Sequence, residues 1–113
     1  MQILTALSDP TRQRIVEMLS SRELSAGQIA AKFEMSAPAV SQHLKVLKDA
    51  KLVRVRAEAQ RRIYALDREG FEEMDEWLKR IRRFWVGKLD LLEQALKDDD
   101  RKSTRGKAGR KQS

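Results

Sequence analysis

Two helix-start signals stand eleven residues apart in the middle of this 113-residue chain, at Ser25 and Ser36. Ser25 is followed three positions later by Gln28, the spacing of a capping box. Ser36 precedes Ala37 and Pro38, and proline in a first helical turn loses no hydrogen bond. The interval admits only about two turns of helix, with Ile29, Ala30 and Phe33 facing inward, and then a break at Glu34–Met35. In the second helix Ala37, Val40, Leu44 and Leu47 recur at spacings of three and four, a narrow apolar stripe. Pro38, Ala39, Gln42, Lys45 and Asp49 fall on the opposite side, with Ser41, His43 and Val46 flanking. Two short helices joined by three or four residues cannot run alongside each other for long. They need a further element to complete a core.

That element is supplied from both sides. Ile3, Leu4, Ala6 and Leu7 form a short apolar opening helix, and Asp9–Pro10 starts another carrying Ile15, Val16 and Leu19, ending near Ser20–Ser21. After Ala50 the period drops to two: Val53, Val55 and Ala57 alternate with Arg54 and Arg56. Glu58–Ala59–Gln60 turns, and Arg61 and Arg62 lead into a second strand, Ile63 to Leu66. From Arg68 to about Leu96 a helical pattern returns. Phe71, Met74, Leu78, Ile81 and Trp85 recur at three and four, and Leu89, Leu92 and Leu96 resume after one extra step. Gly87 permits a break, so one helix or two remain open. Nearly thirty helical residues exceed what a core this small can cover, so the seam predicts a second copy of the chain, the alternative being a helix folded back on its own chain.

The formal net charge is +7, and its placement matters more than its size. Residues 1–36 are neutral. Residues 37–64 carry +5, from Lys45, Lys48, Lys51, Arg54, Arg56, Arg61 and Arg62 against Asp49 and Glu58. Residues 65–100 carry −4, and the last thirteen add six basic groups and no acid. This tail has no side chain able to offset the entropy of ordering, so a body over 1–96 and a disordered basic tail over 97–113 are expected. No apolar run approaches the roughly 18 residues of a membrane span, no secretory signal opens the chain, and no cysteine is present. A cytoplasmic protein with no membrane partner is expected. No P-loop, cysteine nucleophile or His–carboxylate pair at catalytic spacing points to an enzyme.

A helix, two short capped helices and an arginine-bearing hairpin make a winged helix-turn-helix. The expected fold is mainly α with a small β-hairpin wing, dimeric. Small residues on the open face of the Ser36 helix permit close approach to base edges. Gln42 can pair bidentately with adenine, and Lys45 can reach a guanine or a phosphate. Arg54, Arg56, Arg61 and Arg62 can reach the backbone or a minor groove. His43 is open to a structural role as much as to a DNA contact. The rival readings are a winged helix that binds protein and a non-specific architectural DNA-binding module.

The run SAGQIAAKFEMSAPAVSQHLKVLKDAKLV, with ALSDPTRQRIVEML ahead and RRIYALD behind, closely resembles the ArsR/SmtB-like winged-helix regulators of bacteria over about residues 4–96. The resemblance implies a homodimeric repressor of a palindromic operator in double-stranded DNA. It implies an interface between the N- and C-terminal helices, assigned here to Leu4, Leu7, Phe71, Met74, Leu78, Ile81, Trp85, Leu89 and Leu92. It implies recognition-helix contacts at Ser36, Ala39, Ser41, Gln42, His43 and Lys45, and a wing from Arg54 to Arg62.

The departures are informative. Where metal-sensing members carry a Cys-x-Cys pair, this chain has Ser25 and Gly27, and residues 67–100 hold neither histidine nor cysteine. Carboxylates alone make a poor zinc or nickel site. No metal, no cofactor and no metal response through the family's sites are expected. Trp77, Phe84 and Trp85 read as interface core in preference to an apolar effector pocket; a small-molecule or protein effector stays open.

Overall fold

The computed structural model describes residues 2–103, with side chains over residues 2–99. Each start signal caps its helix. Helix α1 spans Gln2–Ala6 and α2 Pro10–Ser21; Asp9 Oδ2 accepts the Thr11 and Arg12 amides at 2.9 and 3.1 Å. Helix α3, Ala26–Ala30, opens on the full capping box: the Gln28 amide donates to Ser25 Oγ and the Ser25 amide to Gln28 Oε1. Helix α4, Ala37–Asp49, starts with Ser36 Oγ accepting the Ala39 amide at 3.2 Å.

The connection from α3 to α4 runs over residues 31–36, longer than the three or four expected. Helix α3 stops early because its end tightens: the Lys32 and Phe33 amides reach back three residues, to Ile29 and Ala30. Half-buried Phe33 and Met35 pin the loop to the core, and the Arg14 guanidinium lies 5.0 Å over the Phe33 ring. Ala37, expected in the apolar stripe, is exposed, while Ala39, expected opposite it, is half-buried. The stripe therefore begins one turn later, at Val40.

Strands β2 (Val53–Glu58) and β3 (Arg61–Leu66) form the wing, antiparallel with Glu58 opposite Arg61. The turn places Ala59 at φ 58°, in the left-handed region. Alternation fades along β2: Val53 is buried, Val55 half-buried and Ala57 exposed as the hairpin leaves the body. A two-residue strand, β1 (Leu24–Ser25), pairs with β3 on its other edge, giving the sheet order β1–β3–β2. Flanked on both edges, β3 buries Ile63, Tyr64 and Ala65 in succession. The core between helices and sheet is built on Ile3, Ile15, Ile29, Val40, Leu44, Leu47, Leu52 and Val53.

Helix α4 ends in a Schellman turn. The Lys51 amide donates to the Lys48 carbonyl and the Leu52 amide to that of Leu47, with Lys51 at φ 64° where glycine is usual. Helix α5, Arg68–Ser103, is continuous through Gly87 and runs past the expected end at Leu96. Arg101–Ser103 continue this helix; the rest of the expected disordered tail lies outside the described residues.

The chain forms two units, meeting at Asp75 and Glu76. In the first, Leu7, Phe71 and Met74, expected at a dimer interface, are half-buried against the chain's own core. Leu4 stays exposed. In the second, Leu78, Trp85, Leu89, Leu92 and Leu96 are 48–59% exposed, beside exposed Phe84, Val86 and Leu91. Ile81 and Trp77 are half-buried.

Candidate nucleic-acid interface

Helix α4 is anchored on one side by Val40, Leu44 and Leu47, each at most 1% exposed. Helical geometry then leaves Pro38, Ser41, Gln42 and Lys45 on the open side, and all four are exposed. The first three are short or neutral, so nothing bulky or charged keeps another molecule from the N-terminal half of the helix. Ser36 is exposed, with its hydroxyl engaged as the cap. Lys45 Nζ lies 3.0 Å from Asp49 Oδ2. Both side chains are more than half exposed, so this pair is worth at most about 0.5 kcal/mol and opens readily.

His43 belongs to a different constellation. Arg12 Nη1 lies 3.1 Å from His43 Nδ1, and Asp9 Oδ2 stands 3.8 Å from the same nitrogen. A guanidinium offers only N–H groups, so Nδ1 accepts and the neutral ring carries its proton on Nε2. The remaining Arg12 donors reach the Ala6 carbonyl at 2.7 Å and the Thr5 carbonyl at 3.3 Å, both at the end of α1. One arginine thus ties α1 and α2 to the middle of α4. The hydrogen bond from the Arg12 amide is the largest influence on the Asp9 carboxyl and, with the Thr11 amide and the Arg12 charge, holds it below its usual value, although burial opposes them.

The four wing arginines do not form one patch. Arg54 folds back, its Nη1 donating to the Leu66 carbonyl at 3.0 Å. Arg56 is gripped at 2.6 Å by Glu23, beside β1, and at 3.2 Å by Glu58; the hydrogen bond to Glu23 is the main reason its proton is held more tightly than usual. Arg61 and Arg62 are exposed and make no ion pair among the described residues. Lys48 is likewise unpaired and exposed, three residues after Lys45 on the same side of α4. The sequence carried a signal for it in that spacing. No three His, Cys, Asp or Glu side chains converge on a metal position among the described residues.

Residues 9–55, from the cap of α2 into β2, match the family described as bacterial regulatory protein, arsR family. The chain is 46% identical over 84 residues to the HTH-type transcriptional regulator Rv2034 of Mycobacterium tuberculosis, covering 74% of this chain and 76% of that one. This chain belongs to the arsR family. It is similar to the transcriptional repressor SdpR of Bacillus subtilis, 33% identical over 67% of this chain and 84% of the relative. An ArsR-like transcriptional regulator from Rhodococcus sp. RHA1 has the same fold, with a TM-score of 0.71 at 26% identity over 83% of this chain and 89% of the other. As an arsR-family protein the chain is a DNA-binding transcriptional regulator with a winged helix-turn-helix, and not an enzyme. No described helix is long and apolar enough to cross a membrane.

Proposed function

We propose that this arsR-family chain is a homodimeric, cytoplasmic repressor that reads a palindromic operator, one half-site per protomer. The observation that carries the reading is the open face of α4: Pro38, Ser41, Gln42 and Lys45 on a helix held by three buried side chains. Such a face fits a major groove, where the Gln42 amide pairs with adenine and Lys45 leaves Asp49 for a guanine or a phosphate. Ser36 and Ala39 line the helix start, Arg61 and Arg62 serve the backbone, and His43 acts through the placement of α4. A second copy of the chain covers Leu4 of α1 and the row Leu78, Ile81, Trp85, Leu89 and Leu92 of α5, since large apolar side chains left this open are a standing cost in water. Residues 1–96 make up this DNA-binding and dimerising body. Two-fold symmetry then spaces the recognition helices about one turn of DNA apart, and occupancy excludes polymerase.

The test is a footprint on DNA upstream of the chain's own gene, repeated with Gln42→Ala. Loss of one good bidentate base contact costs about 1–3 kcal/mol on the operator, with random duplex unchanged. Equal losses on both remove Gln42 from base reading. Higher transcription from the operator-bearing promoter on adding the protein overturns repression.

A further inference from the structure

An open cleft of about 340 Å3 lies between α4 and the wing strands, lined by Lys45, Lys48 and Arg62, with Ser41 and the single carboxylate Asp49. Lys48 and Arg62 have no ion-pair partner among the described residues, and Lys45 is held only by the exposed pair with Asp49. Tyr64 also lines the cleft, although it is only 6% exposed. Its hydroxyl makes no hydrogen bond among the described residues. No fully buried polar side-chain atom there lacks a partner, so this hydroxyl opens to solvent, which Tyr64 meets at the cleft. Two ammonium groups, a guanidinium fork and Tyr64 thus line one space, whose single carboxylate, Asp49, is already paired with Lys45.

Every one of these groups can donate to oxygen, and three carry positive charge, so the fitting ligand is an oxyanion. We propose that the cleft is a phosphate seat that grips one phosphodiester of duplex DNA, through Lys48 of α4 and Arg62 and Tyr64 of β3. Lys45 joins when it leaves Asp49. The proposal rests on the DNA-binding reading of the α4 face, and deepens it. Gln42 stands on the same helix, one turn before Lys45 and beside the cleft, so a seated phosphate fixes the distance from backbone to base edge, which sets register. The cleft is open on one side, as a continuous backbone requires. A small free phosphate would leave several of its oxygens to water there.

The seat is tested on a mixed-sequence duplex, which presents phosphates whether or not an operator is known. Fluorescence anisotropy is followed against NaCl concentration, with circular dichroism as the check on folding. Lys48→Gln and Arg62→Gln each lower the log–log salt slope by about 0.9, the release of one phosphate contact. Tyr64→Phe removes only the hydroxyl and weakens binding about fivefold with the slope unchanged. Asp49→Asn, which frees Lys45 and removes the opposing charge, tightens binding. A scan with single neutral methylphosphonates finds one position whose cost disappears in the Lys48→Gln/Arg62→Gln double variant. Unchanged slopes for both single variants, in folded proteins that still bind the duplex, overturn the seat and leave the DNA-binding reading standing. Absence of duplex binding by the unsubstituted chain removes both. Saturable displacement of duplex by millimolar inorganic phosphate at constant ionic strength, lost on Arg62→Gln, overturns the backbone assignment in favour of a free phosphate ligand.

Discussion

Gly70 is the position where a single methyl group meets the most resistance. It lies in the first turn of α5, and its amide donates to the Lys51 carbonyl at 2.8 Å. A Cβ there would stand 2.3 Å from that oxygen, 2.7 Å from its carbon and 2.9 Å from the Ala50 carbonyl oxygen. All three atoms are backbone, so none can swing away. Lys51 is the left-handed residue of the Schellman turn, and the Asp67 amide donates to the Leu52 carbonyl beside it, so the turn is held from both sides. Overpacking of this kind costs about 1–3 kcal/mol, and loss of the Gly70–Lys51 hydrogen bond adds about 1 kcal/mol. The better helix propensity of alanine returns about 1 kcal/mol at most. Gly70→Ala is therefore expected to lose about 1–3 kcal/mol, or roughly 5–20 °C in Tm for a chain of this size. Urea denaturation followed by circular dichroism, with m compared between variants, reads the difference. A loss below about 0.5 kcal/mol, the range of ordinary surface changes, would refute the steric argument.

Three further outcomes follow from the ion pairs and the apolar face. Glu23→Gln frees Arg56 from its 2.6 Å partner; non-specific duplex affinity should rise and the salt slope steepen by up to about 0.9, whereas no change would place Arg56 away from DNA. The Asp9 carboxyl has its folded pKa depressed, chiefly by the Arg12 amide, so its ionised form stabilises the fold above the usual value of 3.8 and that contribution fades as pH falls through the lower folded value. The stability gap between the unsubstituted chain and Asp9→Asn should be present at pH 6 and narrow progressively as pH falls below 3.8; a gap that stays constant on acidification contradicts the assignment. Trp85→Glu puts a charge into the exposed row on α5 and should yield monomer in sedimentation equilibrium, and a persistent dimer would move the interface elsewhere.

The elements legible in the sequence were those whose signals are local. Asp9, Ser25 and Ser36 announced α2, α3 and α4 because a side-chain oxygen and a free amide three residues on settle the matter within one turn. The Schellman turn at Lys51 was not legible, because lysine replaces the expected glycine and the compensation comes from Leu52, Asp67 and Gly70 across the chain. Phe71 and Met74 show the same limit from the other direction. Their three-and-four spacing with Leu78 and Ile81 reads as one seam, yet they pack on the chain's own core while Leu78 stays open. Periodicity gives the face of a helix and not the identity of what covers it.

The wing depended on the smallest element of all. Strand β1 is two residues long, too short for any period, and it exists because Leu24 and Ser25 find Tyr64 and Ile63 in register. With β1 beside β3, the preceding Glu23 comes within 2.6 Å of Arg56, a pairing between positions 33 residues apart. Once β1 goes unseen, Arg56 counts as a free cation, and the hairpin reads as a row of four DNA-facing guanidinium groups. In the folded chain Arg56 is held by two carboxylates and Arg54 by a carbonyl of its neighbouring strand, which leaves Arg61 and Arg62. The charge lost from the outer wing is matched by Lys48, which the helical spacing from Lys45 brings to the same cleft as Arg62. The basic zone of residues 37–64 is therefore real, but its available charge lies in the cleft between α4 and β3 as much as along the outer hairpin.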